Sequence, residues 1–245
     1  MNIAIIGYGA MGQAIEKIAI ARNHVITAII DPSSPSATHK ELTSDALINA
    51  DITIDFSTTD SVIKHIDICK EASVNLILGT TGWYDKLDSI RQKIKDSNIG
   101  FLWSSNFSIG VNIYYKLIED AAELINRFDE YDIWGHEIHH KNKADSPSGT
   151  AKILEQILLN KVDRKTEIVE DKLDRKIEPN EIHFSSTRGG EVNFKHEIGF
   201  DSAADTIIIS HSARNRDGYA LGAVKAAEWL NGKIGYYEMS DFLNI

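Results

Sequence analysis

Residues 2–12 read NIAIIGYGAMG. Asn2 to Ile6 is a short apolar, β-branched run, and it enters Gly7-Tyr8-Gly9-Ala10-Met11-Gly12, after which Ile15, Ile18, Ala19 and Arg22 recur at helical spacing. A strand, a G-x-G-x-x-G turn and a helix in that order predict the first unit of a doubly wound parallel α/β sheet. The glycines have separate jobs: the first makes the tight turn, the second lets a pyrophosphate reach the backbone, and the third lets helix and strand pack closely. The phosphates then sit at the positive end of the helix. Alone, such a pattern is no more than a glycine-rich turn. A second strand over 25–30 strengthens it, because it ends at Asp31, about twenty residues on, where an acid binds the adenosine ribose hydroxyls.

These residues predict a nicotinamide dinucleotide held by Gly7, Gly9, Ala10, Met11, Gly12 and Asp31. A carboxylate at Asp31 repels a 2'-phosphate and favours NADH. Ser33, Ser34, Ser36, Thr38, His39 and Lys40 follow and could hold a phosphate, so NADPH stays open as the alternative.

Working outward, strands are expected over 52–55, 74–78 and 99–103, with helices over 60–72 and 84–95 between them. Their carboxyl ends lead into Asp55-Phe56-Ser57, Gly79-Thr80-Thr81-Gly82 and Ser104-Ser105-Asn106-Phe107. Each alone reads as a cap or turn. Together, at the ligand-binding edge of such a sheet, they place Phe56, Gly79, Thr80, Thr81, Ser104, Ser105, Asn106 and Phe107 around the nicotinamide. From Ile109 the pattern changes to a helix through about Asn126, a strand over 131–139, and a helix after Pro147. The charged stretch 162–180 reads as a solvated excursion, and strands are expected over 182–187, 192–199 and 206–211. Strands without intervening helices indicate a second, α+β domain with a mixed or antiparallel sheet. The apolar helix over 218–230 returns to the first domain. The expected division is 1–106 with 215–245 for the dinucleotide domain and 107–214 for substrate binding and oligomerisation.

The chain has 245 residues and a net charge of −10, which argues against nucleic acid or an anionic membrane as partner. No apolar run nears the roughly 18 residues of a spanning helix, and Met1 leads directly into a strand with no leader. The single cysteine, Cys69, forms no internal disulfide, and a cytoplasmic setting is expected.

The densest chemistry lies at 131–152, YDIWGHEIHHKNKADSPSGTAK. His136-Glu137-Ile138-His139-His140 satisfies H-E-x-x-H, which binds zinc only when a helix sets its histidines one turn apart. Gly135 and the alternation before it indicate a strand instead, with His136 and His140 about 13 Å apart, so no metal is expected. The remaining reading is a proton donor at the histidines, a cation at Lys143, and an anion cradle where Ser148-Gly149-Thr150 starts a helix.

The run Glu137 to Ala151 resembles the signature E-x-H-H-x-x-K-x-D-x-P-S-G-T-A of the 4-hydroxy-tetrahydrodipicolinate (dihydrodipicolinate) reductases. The likeness also takes in the glycine loop, Asp55-Phe56-Ser57, Gly79 to Gly82, Asn106-Phe107-Ser108, Arg188-Gly189-Gly190, His196 and Arg216. It implies a Rossmann-type domain plus an α+β domain, and reduction of a cyclic dicarboxylate with NAD(P)H in lysine and diaminopimelate biosynthesis. By the same likeness His139 is the catalytic proton donor and Lys143 the catalytic lysine, while His140, Ser148, Gly149 and Thr150 bind substrate. A homotetramer docked through the second domains is also implied. The glycine loop is one residue shorter than the family's usual form, and Ser146 replaces an alanine. Two rivals stand beside this reading: another two-domain nicotinamide enzyme, such as an aspartate dehydrogenase, and a dinucleotide sensor without turnover.

Overall fold

The computed structural model describes residues 1–245 and divides into two units, Met1–Ile109 with Arg216–Ile245, and Gly110–Asn215. In the first unit β1 (Asn2–Ile6), β2 (Val25–Ile30), β3 (Ile52–Asp55), β4 (Asn75–Leu78), β5 (Gly100–Trp103) and β11 (Gly235–Glu238) form one sheet in the order β11-β5-β4-β3-β1-β2. Every pairing in it is parallel. Parallel neighbours need crossovers, and helices cover both faces, so the strands are apolar on both sides. Ile3, Ile5, Ile52 and Ile54 pack with α1 (Ala10–Ala21) and α6 (Asp217–Leu230). Ala4, Ile6, Leu76 and Leu78 face α2 (Val62–Ala72) and α3 (Leu87–Lys95). Strand order reverses between β1 and β3, which is the switch point where such sheets bind ligands.

In the second unit β6 (Asp132–His139), β7 (Glu167–Val169), β8 (Glu181–Arg188), β9 (Phe194–Asp201) and β10 (Thr206–Ala213) form a sheet in the order β10-β9-β6-β8-β7. β8 runs parallel to β6 and β7, and β9 antiparallel to β6 and β10, so the sheet is mixed, as expected. α4 (Ile109–Ile125) and α5 (Gly149–Lys161) contribute Tyr114, Ile118, Leu154 and Leu158 to a core with Ile133, Phe184, Ile198 and Phe200. No helix is long and apolar enough to cross a membrane.

Two features differ from expectation. The charged stretch 162–180 is not wholly solvated: it contributes β7 and buries Lys165, whose ammonium donates to Asp132 Oδ1 at 2.6 Å and to the carbonyls of Pro179 and Glu181 at 2.8 Å each. An ammonium has three hydrogens, and all three are satisfied, which makes its burial tolerable. β11 has no counterpart in the sequence reading, because Gly235-Tyr236-Tyr237-Glu238 is a half-buried edge strand with little apolar signal.

Candidate functional site

In the first unit Gly7 has φ +85°, and a Cβ there would lie 2.5 Å from the Phe56 carbonyl oxygen, so only glycine lets the ends of β1 and β3 come this close. Gly9 caps α1 with no side-chain hydrogen bond, no acid stands in the first turn, and the space beside Gly9 is open. The first-turn N–H groups, those of Ala10, Met11 and Gly12, have neither a capping side chain nor a neutralising charge. A helix start of this kind can receive an anion, the expectation set by the glycine loop.

Asp31 fastens this loop to the one after β2. Its Oδ2 accepts from the Tyr8 N–H at 2.8 Å, and Oδ1 accepts from Ser33 N at 2.8 Å and Ser34 N at 2.7 Å. The Tyr8 bond leads the causes that hold this carboxyl below its ordinary pKa, against burial and helped by Ser34, Ser33 and the Lys40 charge. Lys40 donates to the Ser34 carbonyl at 2.7 Å.

The loops after β3, β4 and β5 are tied together below. Asp55 is fully buried, and its Oδ1 accepts from Ser57 N at 2.9 Å and Thr80 Oγ1 at 3.3 Å, while Oδ2 meets His65 Nδ1 at 2.7 Å. The Phe56 ring lies on Gly79, where an added Cβ would come within 2.2 Å of it, and stands 5.8 Å from the Phe107 ring. The Thr81 carbonyl accepts from Thr59 Oγ1 at 2.7 Å. Ser104 Oγ donates to the Asn106 carbonyl at 2.8 Å and accepts from Asn106 N at 3.0 Å. Ser105 stands exposed beside them.

In the second unit 132–139 is a strand, so the zinc-type helix does not form. Ile133, Gly135, Glu137 and His139 share the buried face, while His136 lies on the other and meets Thr187 Oγ1 at 3.1 Å. His139, 5% exposed, stacks on Phe194 with centroids 5.8 Å apart and meets the His196 ring edge-on at 5.2 Å. Its Nδ1 is 3.6 Å from Glu137 Oε2 and makes no hydrogen bond. Burial pushes its pKa down to about 4, with help from His196, Lys143 and Arg188 and against the opposing pull of Glu137.

Lys143 Nζ donates to both oxygens of Asp145, at 2.7 and 2.9 Å, which lowers the Asp145 pKa. The half-buried His140 leaves its Nδ1 without a partner. Ser148 caps α5: its Oγ accepts from Ala151 N at 3.2 Å, while its own N–H donates to Glu137 Oε1 at 3.1 Å. Gly149 is exposed with open space about it, and Thr150 is half-buried.

Glu137 has a part that sequence reasoning missed. It is fully buried, and besides Ser148 N it accepts from Ser186 Oγ at 2.9 Å and Arg188 Nη2 at 2.7 Å, with His196 Nε2 at 3.1 Å. Burial opposes its ionisation, but the bonds from His196, Ser148, Arg188 and Ser186 outweigh it and hold the carboxyl well below the ordinary range. Ligand atoms of Glu137, His139 and His196 lie within 4.8 Å of one another, as in a metal site. The carboxylate is already committed to four donors, one of them a guanidinium, so a cation there would have to displace Arg188. The available signal was spacing: two residues before His139 on a strand is the same face.

The residues 1–107 match the family model described as dihydrodipicolinate reductase, N-terminus, and 110–243 match dihydrodipicolinate reductase, C-terminus. A 4-hydroxy-tetrahydrodipicolinate reductase of Christiangramia forsetii is 36% identical over 244 residues, covering 100% of this chain and 98% of the relative. One from Archaeoglobus fulgidus is 33% identical over 260 residues, covering 99% and 100%. Among solved structures, a dipicolinate-bound dihydrodipicolinate reductase from Paenisporosarcina sp. TG-14 superposes with a TM-score of 0.78 at 21% identity over 98% of both chains, a likeness of fold.

Proposed function

The chain belongs to the dihydrodipicolinate reductase family and is a nicotinamide-dependent reductase of 4-hydroxy-tetrahydrodipicolinate serving lysine and diaminopimelate biosynthesis; we propose that His139 and Lys143 carry its chemistry. The observation that carries this assignment is the buried His139 in one continuous stretch with Lys143 and the capped start of α5. A bound nicotinamide supplies the hydride; the glycine loop, Asp31, and the loops of Phe56, Gly79 to Thr81 and Ser104 to Phe107 hold it.

The substrate is a cyclic dicarboxylate. Gly149 and Thr150 at the helix start and the Ser148 hydroxyl receive one carboxylate, with His140 beside them, and Lys143 exchanges Asp145 for the substrate. In the ligand-free protein His139 is neutral near pH 7, because burial and nearby cations depress its proton affinity. Two incoming carboxylates reverse that balance. His139 then takes up a proton and delivers it to the reduced ring, while the 4-hydroxyl leaves as water in the net reaction.

NADH is the preferred cofactor, a reading supported by the carboxylate of Asp31 and by the absence of an arginine in 31–40. The protein works in the cytoplasm, where a single thiol at Cys69, buried and with its pKa pushed up to about 12, is inert. It assembles as a homotetramer through the second unit's sheet, a reading supported by β10, an edge strand that exposes Ile207 and Ile208. A coupled assay with the upstream condensation of pyruvate and aspartate semialdehyde, run with NADH and NADPH, tests the function. Cofactor oxidation should depend on that product and be faster with NADH; oxidation driven by an amino acid alone would refute it.

A further inference from the structure

Glu137 is a carboxylate and can only accept, so the His196 Nε2 that lies 3.1 Å from its Oε2 carries a proton whatever the charge of the ring. The same Nε2 lies 3.1 Å from Ser148 Oγ, and that oxygen also accepts from the Ala151 N–H at 3.2 Å. A hydroxyl has two lone pairs and one hydrogen. His196 Nε2 has a single hydrogen, shared between Glu137 Oε2 and Ser148 Oγ, and a nitrogen that bears a hydrogen cannot accept. Ser148 therefore takes the Ala151 N–H and a share of the Nε2–H, cannot donate to His196, and keeps its O–H to offer.

We propose that Glu137 is a positioning residue that acts through His196 to fix the hydrogen-bond polarity of Ser148, making its hydroxyl a dedicated donor to a substrate carboxylate. The inference rests on the reading of Ser148 to Thr150 as the carboxylate cradle. An unrestrained hydroxyl presents a lone pair as readily as its hydrogen, and a lone pair repels a carboxylate. A hydroxyl that two N–H groups face, and whose nearest ring nitrogen cannot accept, already points its hydrogen away from them and receives the anion without reorganising. The arrangement also selects for chemical class: a donor-only oxygen accepts a carboxylate and gives nothing to the N–H face of a carboxamide.

The test is the dissociation constant of pyridine-2,6-dicarboxylate, by calorimetry, on the full chain carrying Ser148→Ala, Glu137→Gln, His196→Leu or His196→Gln. Loss of one hydrogen bond to a charged group weakens binding about tenfold or more. Ser148→Ala, Glu137→Gln and His196→Leu should each show that loss, and His196→Gln, which keeps an N–H near the Nε2 position, should restore most of it. Adding Ser148→Ala to His196→Leu should cost little more, because both remove the same interaction. KM should rise more than kcat falls. If Ser148→Ala weakens binding but Glu137→Gln and His196→Leu leave it at wild type, the relay is refuted and the cradle stands. If Ser148→Ala itself binds as wild type, the cradle reading at Ser148 falls with it. Should Glu137→Gln fail to fold, the His196 pair decides: additive losses with Ser148→Ala overturn the relay.

Discussion

His139, the proposed proton donor, is a neutral imidazole in the resting protein at neutral pH and lacks the second ring proton it would have to deliver, since burial takes its pKa to about 4. Binding of a dicarboxylate at pH 7 should therefore draw protons from solution, measurable as a buffer-dependent binding enthalpy, and His139→Gln should abolish that uptake. The same substitution should lower kcat by about 100- to 10,000-fold, the usual worth of general acid catalysis, and leave NADH affinity unchanged. Stability follows the same group. The unfolded chain's histidine, near its ordinary value of about 6.5, binds protons between that pH and about 4 while the folded one does not. Stability should fall as pH drops through this window, and urea titrations should show a shallower fall in His139→Gln. At this scale the sequence was legible where chemistry sits in adjacent residues, as with His139, Lys143 and the Ser148 cap. The charge hub at Glu137 was not, because its partners Ser186, Arg188 and His196 come from β8 and β9, about fifty residues away in the chain.

Elements position these groups by close approach. A methyl at Gly135 would meet the Phe184 ring at 2.2 Å, so β6 and β8 hold their register by a ring laid over a bare backbone. Gly135→Ala should cost about 1–3 kcal/mol by overpacking, read from denaturant midpoints. Gly79→Ala should push the Phe56 ring out of place and weaken NADH binding, measured by fluorescence titration, with the second unit's carboxylate site unaffected. Strands and helices of the first sheet could be read from runs of β-branched residues alternating with 3.6-period segments. β7 and β11 could not: they are 3 and 4 residues long, and their burial depends on neighbours and not on their own composition. Lys165 shows the same limit, since a charged residue reads as solvated unless its acceptors are known.

The whole molecule carries −10 yet handles a dianion, so recognition depends on local cations and backbone dipoles and not on net charge. The proposed assembly through β10 predicts that Ile208→Lys, which sets a charge on an exposed apolar strand, shifts the species seen by light scattering from four chains towards fewer. An unchanged mass would refute docking through that face.

The first sheet is finished by residues far from its glycine loop: β11 pairs with β5, α6 lies against α1, and Arg22 forms a two-pronged bond to Glu228. On the ribosome, residues 2–109 emerge first but lack β11, α6 and the short helix Met239–Leu243, whereas 110–215 emerge with every strand of their own sheet. The inserted unit can close while its host still waits for its last strand. The first sheet is thus complete only once residues 217–238 have joined it, and a chain cut at 215 would carry the glycine loop on an unfinished sheet.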